Sequence, residues 1–153
     1  MIEGIRTIAA QMECEEIVIL CNSAAGVPGM RAGMQLDAKR IVAFSPRPHG
    51  AGKPAGPNGS TEEHMAALER DLPNLSSDWA TSSQPEILIV HGDTNKQDTL
   101  FAGIMADTLP SRRWALPKRN RHNALLEAMR EHVLADIIAW LTSTRETLSI
   151  PTS

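Results

Sequence analysis

A serine, a histidine and an aspartate in this sequence could together cleave an acyl bond. Ser23 follows an unbroken apolar run in the stretch 17–26, IVILCNSAAG, and small residues come after it. His122 lies in a polar loop, KRNRHN, and two aspartates, Asp93 and Asp98, precede it in the chain. A serine hydroxyl becomes nucleophilic when a histidine takes its proton, and a carboxylate stabilises the imidazolium that forms. These residue types could therefore support acyl transfer through a serine nucleophile, and their order along the chain is the observation that matters.

The turn around Ser23 could present the hydroxyl. A serine on a sharp strand-to-helix turn needs small residues two positions before it and two positions after it. Cys21 and Ala25 hold these positions, so the usual glycines are absent although both residues are small. The backbone N–H of Ala24, at the start of the next helix, could donate to an oxyanion. The alternative is that Ser23 only caps this helix.

The partner residues also have interpretations without chemistry. A histidine in a polar loop, such as His122, is commonly just solvated. Asp93 suits a turn in the sequence Gly-Asp-Thr-Asn, and Asp98 suits an N-cap in front of Thr-Leu-Phe. The identity of the acid stays open between these two aspartates.

Alternating strands and helices must position these residues. Apolar periodicity predicts strands at 16–21, 40–44, 86–90 and 112–116. It predicts helices at 2–12, 24–36, from Thr61 onward, 99–109 and 124–142. Three of the four strands are almost continuously apolar, which is typical of a parallel sheet covered by helices on both faces. We predict one α/β domain over 1–153, a three-layer αβα fold with a short, mostly parallel sheet of about four strands.

Right-handed crossovers place the carboxyl ends of parallel strands at one edge of the sheet, where sites are built. Ser23, Asp93 and His122 follow the first, third and fourth strands, so we expect them at this edge. The Pro- and Gly-rich stretch 45–60 predicts a loop there, either a lid or a disordered connection. The stretch 73–85 is predicted to be irregular.

The order of serine, acid and histidine before a C-terminal helix resembles that of the α/β-hydrolase superfamily. The stretch EEIVILCNSAAGVPGMRAGMQLDAKRIVAFSP resembles the family's nucleophile strand, its helix and the next strand. PEILIVHGDTN resembles the strand that carries the acid. RRWALPKRNRHNALLEAMREHVLADIIAWL resembles the final strand, the histidine loop and the closing helix. The resemblance covers the C-terminal part of the fold, and the family's earlier strands have no counterpart in this chain.

The resemblance implies a serine hydrolase that cleaves an ester or thioester of a small or acyl substrate without a cofactor. Ser23 would be the nucleophile, His122 the general base and the N–H of Ala24 one oxyanion donor. The family's second oxyanion donor comes from a loop without a counterpart here. The alternative is a catalytically degenerate hydrolase-like domain that acts through binding or oligomer assembly.

The resemblance leaves the acid undecided. The family's usual position for it holds Asn95, so Asp93 or Asp98 would take its place. Asn95 could orient the imidazole but could not balance its charge. Asn22, directly before the serine, is the other supporting residue.

The predicted sheet also has an exposed edge. The strand that begins at Ile17 is central in the family, whereas it would lie at an edge here. An unpaired apolar edge promotes association unless something covers it. We therefore expect a homo-oligomer, in the simplest case a homodimer, or a partner chain that covers 17–21.

Composition argues against several other classes of function. The net charge of −3, and basic residues without interleaved aromatic residues, argue against nucleic acid binding. No signal-like or membrane-spanning stretch is evident, so a cytoplasmic location without a membrane is the default expectation. The five histidines show no metal-binding spacing. A phosphate cradle at NSAAG remains an alternative, although the chain has neither GxGxxG nor a P-loop lysine.

Overall fold

The computed structural model describes residues 1–48, 61–119, 122–142, 144 and 146–148. Helices and strands alternate along these residues. In chain order they are α1 (Ile2–Gln11), β1 (Val18–Asn22), a 3₁₀ turn (Ser23–Ala25), α2 (Gly26–Gln35), β2 (Arg40–Phe44), α3 (Thr61–Thr81), β3 (Glu86–Gly92), α4 (Lys96–Thr108), β4 (Ser111–Leu116), α5 (Ala124–Arg130) and α6 (Leu134–Leu141). Most of the predicted loop 45–60 lies outside the described residues.

The four strands form one sheet in the order β1-β2-β3-β4, and every neighbouring pair is parallel. In register, Val42 of β2 lies beside Leu20 of β1 and Leu88 of β3. The sequence of apolar strands separated by helices therefore forms the predicted parallel α/β sheet. β1 and β4 are its two edges, and the carboxyl ends of all four strands point to the same side.

Successive strand residues face two separate cores because side chains alternate across a sheet. Ile41 and Ala43 of β2 pack in a first core with residues of α2, α3 and α4. Val42 and Phe44 pack in a second core with residues of α5 and α6. The sheet thus lies between two helical layers, which confirms the three-layer αβα prediction.

Helix α3 extends further than predicted. The stretch 73–85 was expected to be irregular, but the helix continues through Pro73 as far as Thr81. Leu72, Leu75 and Trp79 continue the helical spacing and pack in the first core. This burial outweighs the cost of an interior proline, so the prediction was wrong for 73–81, whereas 82–85 lie outside helices and strands as expected.

The predicted helix 124–142 is interrupted. The chain forms two helices, α5 and α6, and residues 131–133 between them are not helical. His132 has φ of 59°, a left-handed conformation that cannot continue an α-helix. Of the residues expected on its buried face, Ile137 and Leu141 lie in the second core and Leu125 and Val133 pack against it, whereas Met129 is exposed, contrary to the prediction.

Small residues bring α2 close to β1, directly behind the Ser23 turn. A Cβ atom at Gly29 would lie 2.6 Å from the Cβ of Cys21. Pro28 lies in the first turn of α2, where its missing N–H leaves no intrahelical bond unmade. The close packing of strand and helix fixes the direction in which the chain leaves β1.

Candidate active site

Ser23 occupies a strained turn at the carboxyl end of β1. It is the first residue after the strand, has φ of 53°, and begins the 3₁₀ turn that leads directly into α2. Non-glycine residues rarely adopt this left-handed conformation, and it concentrates at functional sites. A strand-to-helix turn of this kind presents the serine side chain at the edge of the sheet.

The hydroxyl of Ser23 lies next to the imidazole of His122. Ser23 Oγ and His122 Nε2 are 2.6 Å apart. The histidine follows β4 by six residues and retains 27% of its side-chain exposure, so one side of the ring faces solvent. The structure brings together the two residues that the sequence proposed as nucleophile and base.

Asp98 completes a continuous series of hydrogen bonds. His122 Nδ1 lies 2.8 Å from Oδ1 and 3.1 Å from Oδ2 of Asp98. A carboxylate only accepts, so Nδ1 donates to Asp98, and the lone pair of Nε2 is left to accept from the Ser23 hydroxyl. These directions are the ones that a general base requires.

The capping of α4 decides which aspartate meets the histidine. The side chain of Asn95 accepts a hydrogen bond from the backbone N–H of Asp98 at 3.0 Å, so Asn95 is the N-cap. Asp98 lies in the first turn with a fully buried side chain that reaches His122. The alternative in which Asp98 caps this helix is therefore wrong.

Asp93 fastens the loop that carries the histidine. Its Oδ1 accepts from the backbone N–H of Arg119 at 3.1 Å, and its own N–H donates to the carbonyl of Leu116 at 3.1 Å. Thr94 N–H donates to the carbonyl of Arg119, also at 3.1 Å. The structure thus separates Asp93 from the imidazole and gives it the role of an anchor.

The two residues that flank the serine contribute backbone and polar groups. Ala24 is exposed and lies in the first turn of the helical segment, where backbone N–H groups have no partner within the helix. Its N–H lies directly after Ser23 and has no partner within the helix, so the structure is compatible with the predicted donor. Asn22 is the last residue of β1, and its buried Oδ1 has no hydrogen-bond partner among the described residues.

Arg47 was not singled out from the sequence. Its Nη2 lies 3.5 Å from Asp98 Oδ1, and its backbone N–H donates to the carbonyl of Ser23 at 2.9 Å. The preceding residue, Pro46, packs against Gly26 so closely that a Cβ atom at Gly26 would overlap it. The one signal in the sequence was position, because Arg47 follows β2 at the same sheet edge as the other site residues.

Two further reactive side chains near the site are structural. Burial raises the pKa of the Cys21 thiol to about 12, so it remains protonated and does not compete with Ser23 as a nucleophile. His91 is buried at the end of β3, and its Nδ1 donates to the carbonyl of Gly92 at 3.1 Å. Burial lowers the pKa of His91, which favours the neutral ring.

Comparisons with protein-family models, with curated proteins and with solved structures found no match to this chain. The described part of the chain holds no group of three or more His, Cys, Asp or Glu residues that could bind a metal ion. No described helix combines the length and the apolar character needed to cross a membrane. The geometry of the site residues is therefore the basis on which a reaction is assigned below.

Proposed function

We propose that this protein is a serine hydrolase that cleaves an ester or thioester of a small or acyl substrate. The observation that carries the proposal is the series of hydrogen bonds from Ser23 Oγ to His122 Nε2, at 2.6 Å, and from His122 Nδ1 to Asp98, at 2.8 Å. The place of Ser23 supports it, because a left-handed residue on a sharp strand-to-helix turn presents its side chain at the end of the strand.

The acyl-transfer steps use these three side chains in order. Ser23 Oγ attacks the carbonyl carbon of the substrate while its proton passes to His122 Nε2. The carbonyl oxygen takes up the negative charge and faces the N–H of Ala24. His122 then returns the proton to the departing alkoxide or thiolate, leaving an acyl group on Ser23. A water molecule, deprotonated by the same imidazole, then attacks the acyl carbon; the bond from that carbon to Ser23 Oγ breaks, His122 returns the proton to Oγ, and the acid product leaves.

Asp98 acts on the histidine in two ways. Its hydrogen bond holds the proton on Nδ1, which keeps Nε2 basic and directed at Ser23. Its charge stabilises the imidazolium once the proton of Ser23 has moved. The Asp98 side chain has no exposure to solvent, so little screening by water reduces this attraction.

The decisive experiment is intact mass spectrometry after incubation with a fluorophosphonate. The wild-type protein should gain one adduct, and Ser23→Ala and His122→Gln should gain none on the same timescale, because one lacks the nucleophile and the other its base. Ser76→Ala removes an exposed serine of α3 and should label like wild type.

The absence of an adduct on folded wild-type protein would contradict the proposal. It would favour the alternative function, a degenerate hydrolase-like domain that acts through binding or assembly. Circular dichroism of the same samples establishes that each variant is folded, so a loss of labelling can be assigned to the site.

We also propose that a second copy of the chain covers the edge of the sheet at β1. Among the described residues this strand pairs with β2 on one side and with no strand on the other, and Leu20 at its centre is 41% exposed. Helix α1 adds the exposed apolar side chains of Ile5 and Ile8, and its C-cap adds that of Met12. Light scattering at micromolar concentration should show a dimer that Leu20→Lys dissociates, and a wild-type monomer would exclude this assembly.

A further inference from the structure

Arg47 contacts both ends of the proposed catalytic series. Its guanidinium Nη2 lies 3.5 Å from Asp98 Oδ1, the same oxygen that accepts from His122. Its backbone N–H donates to the carbonyl of Ser23 at 2.9 Å. One residue outside the series is thus in contact with the residue that bears the nucleophile and with the side chain of the acid.

Burial makes the contact between Arg47 and Asp98 an electrostatic requirement. The side chain of Asp98 is 0% exposed and that of Arg47 is 9% exposed. A carboxylate removed from water needs a compensating charge and hydrogen bonds. Neutral His122 supplies a hydrogen bond but no charge until it has taken the proton of Ser23. Before that step, Arg47 is the cation that offsets the charge of Asp98.

The segment that carries Arg47 is held in place by contacts with β3 and with α2. Ser45, which follows β2 with φ of 39°, donates its backbone N–H to the carbonyl of Val90 at 2.7 Å. Pro46 packs against Gly26 at the start of α2 with no room for a side chain between them. The guanidinium therefore extends from a fixed piece of backbone, which is what precise placement of a carboxylate requires.

We infer that Arg47 is a positioning residue of this site. Its guanidinium offsets the charge of Asp98 and fixes the orientation of the carboxylate toward His122, while its backbone fixes the Ser23 turn. The inference rests on the proposed function and deepens it, since Arg47 acts through Asp98 and does not touch the reacting atoms.

The first test compares the rates of fluorophosphonate labelling of folded wild type, Arg47→Met and Arg47→Lys. Arg47→Met keeps the length of the stem but removes the charge, so the labelling rate should fall by about ten-fold to a hundred-fold. Arg47→Lys keeps a cation near Asp98 and should recover most of the rate. Arg31→Met breaks another arginine–aspartate pair, with Asp78, and should label like wild type.

A double variant tests whether Arg47 acts through Asp98. If it does, Arg47→Met combined with Asp98→Asn should label no more slowly than Asp98→Asn alone, because the carboxylate to be positioned is already gone. Two other results would overturn the inference. One is an Arg47→Met protein that labels at the wild-type rate, and the other is a double variant whose rate reflects the product of the single effects.

A spectroscopic measurement separates this inference from the proposed function. If folded wild type does not label, the proposed function fails, and Arg47 is then judged by the proton NMR signal of His122 Nδ1–H. Its hydrogen bond to Asp98 should produce a low-field resonance in wild type and Arg47→Lys that broadens or disappears in Arg47→Met. An unchanged resonance in Arg47→Met would show that Asp98 keeps its orientation without the guanidinium.

Discussion

The hydroxyl of Ser23 and the imidazole of His122 are 2.6 Å apart although 99 residues separate them in the chain. Each follows a strand at the opposite edge of the sheet, Ser23 after β1 and His122 after β4. The two can meet because the chain after β4 lies at the carboxyl edge of β3 as far as Arg119, whose carbonyl lies against Gly92. The contact therefore depends on that segment as much as on the strands.

Replacing the two candidate acids separately should distinguish their roles. Asp98→Asn keeps the shape of the side chain but removes the charge and disturbs the tautomer of His122, so labelling and ester hydrolysis should fall by about 10³- to 10⁴-fold. Asp93→Asn keeps an oxygen that can accept from Arg119 N–H and should change these rates by less than about three-fold. Equal losses in the two variants would show that the acid has been misassigned.

The strain at Ser23 should be measurable as stability. Glycine adopts a left-handed backbone without a steric cost, whereas alanine does not. The free energy of unfolding in urea should therefore be about 0.5–1 kcal/mol higher for Ser23→Gly than for Ser23→Ala. This difference already includes the loss due to the greater entropy of glycine in the unfolded chain. The control is Ala32→Gly, within α2, where the backbone is helical; there glycine should lower the free energy of unfolding by about 1 kcal/mol relative to wild type. A less stable Ser23→Gly would mean that the turn is not strained.

A methyl group at Gly26 should disturb both the fold and the site. It would overlap Pro46, forcing apart the start of α2 and the segment that carries Arg47. Overpacking of this kind costs about 1–3 kcal/mol, so Gly26→Ala should unfold at lower urea and label more slowly. Gly4→Ala is the matched control in α1, where a Cβ atom would meet nothing within 4 Å. Because alanine favours a helix more than glycine does, this variant should gain up to about 1 kcal/mol in the free energy of unfolding. Parallel behaviour of the two variants would contradict this packing.

His91 should make the stability depend on pH. Burial lowers its pKa from the ordinary value of 6.5, opposed by the hydrogen bond to the Gly92 carbonyl. As pH falls below 6.5, the unfolded chain binds a proton that the folded protein does not, so the stabilisation present above that pH is progressively lost. Urea unfolding between about pH 7 and about pH 5 should therefore be less pH-dependent in His91→Gln.

The control for His91 is His132→Asn, which replaces an exposed histidine in the left-handed break between α5 and α6. Asparagine tolerates that conformation, so this variant should keep the fold, and comparison with it separates removal of the buried ring from removal of an exposed one. A His91→Gln protein with the wild-type slope would show that the buried ring contributes nothing to acid sensitivity.

The sequence by itself determined the sheet and the edge at which the site lies. Mostly apolar strands of five or six residues, separated by helices, leave few arrangements other than a covered parallel sheet, and the handedness of crossovers then brings the strand ends together. The strand RIVAF was predicted at its observed bounds, Arg40–Phe44. Ser23 and His122 could be proposed together for this reason, since their location depends on chain order more than on packing detail.

Only the tertiary structure decided which aspartate contacts His122. Asp93 and Asp98 are five residues apart, and either could be an acid, a turn residue or a cap on local grounds. The choice fell to Asp98 because Asn95 caps α4 and leaves Asp98 in the first turn, facing inward. Several neighbouring polar residues could each have been the N-cap of α4. The path of the preceding loop decides which one is, and the sequence pattern does not specify that path.

Packing energies decided the remaining features. Pro73 was expected to end regular structure, but burial of Leu75 and Trp79 carries the helix past it. The approach of Arg47 to Asp98 joins segments more than fifty residues apart through one ion pair. The helical spacing of Leu75 and Trp79 is a local signal that Pro73 outweighed in the prediction, whereas the ion pair has no local signal because it depends on a distant segment. Periodicity thus set which elements form, and contacts between distant segments set what they do together.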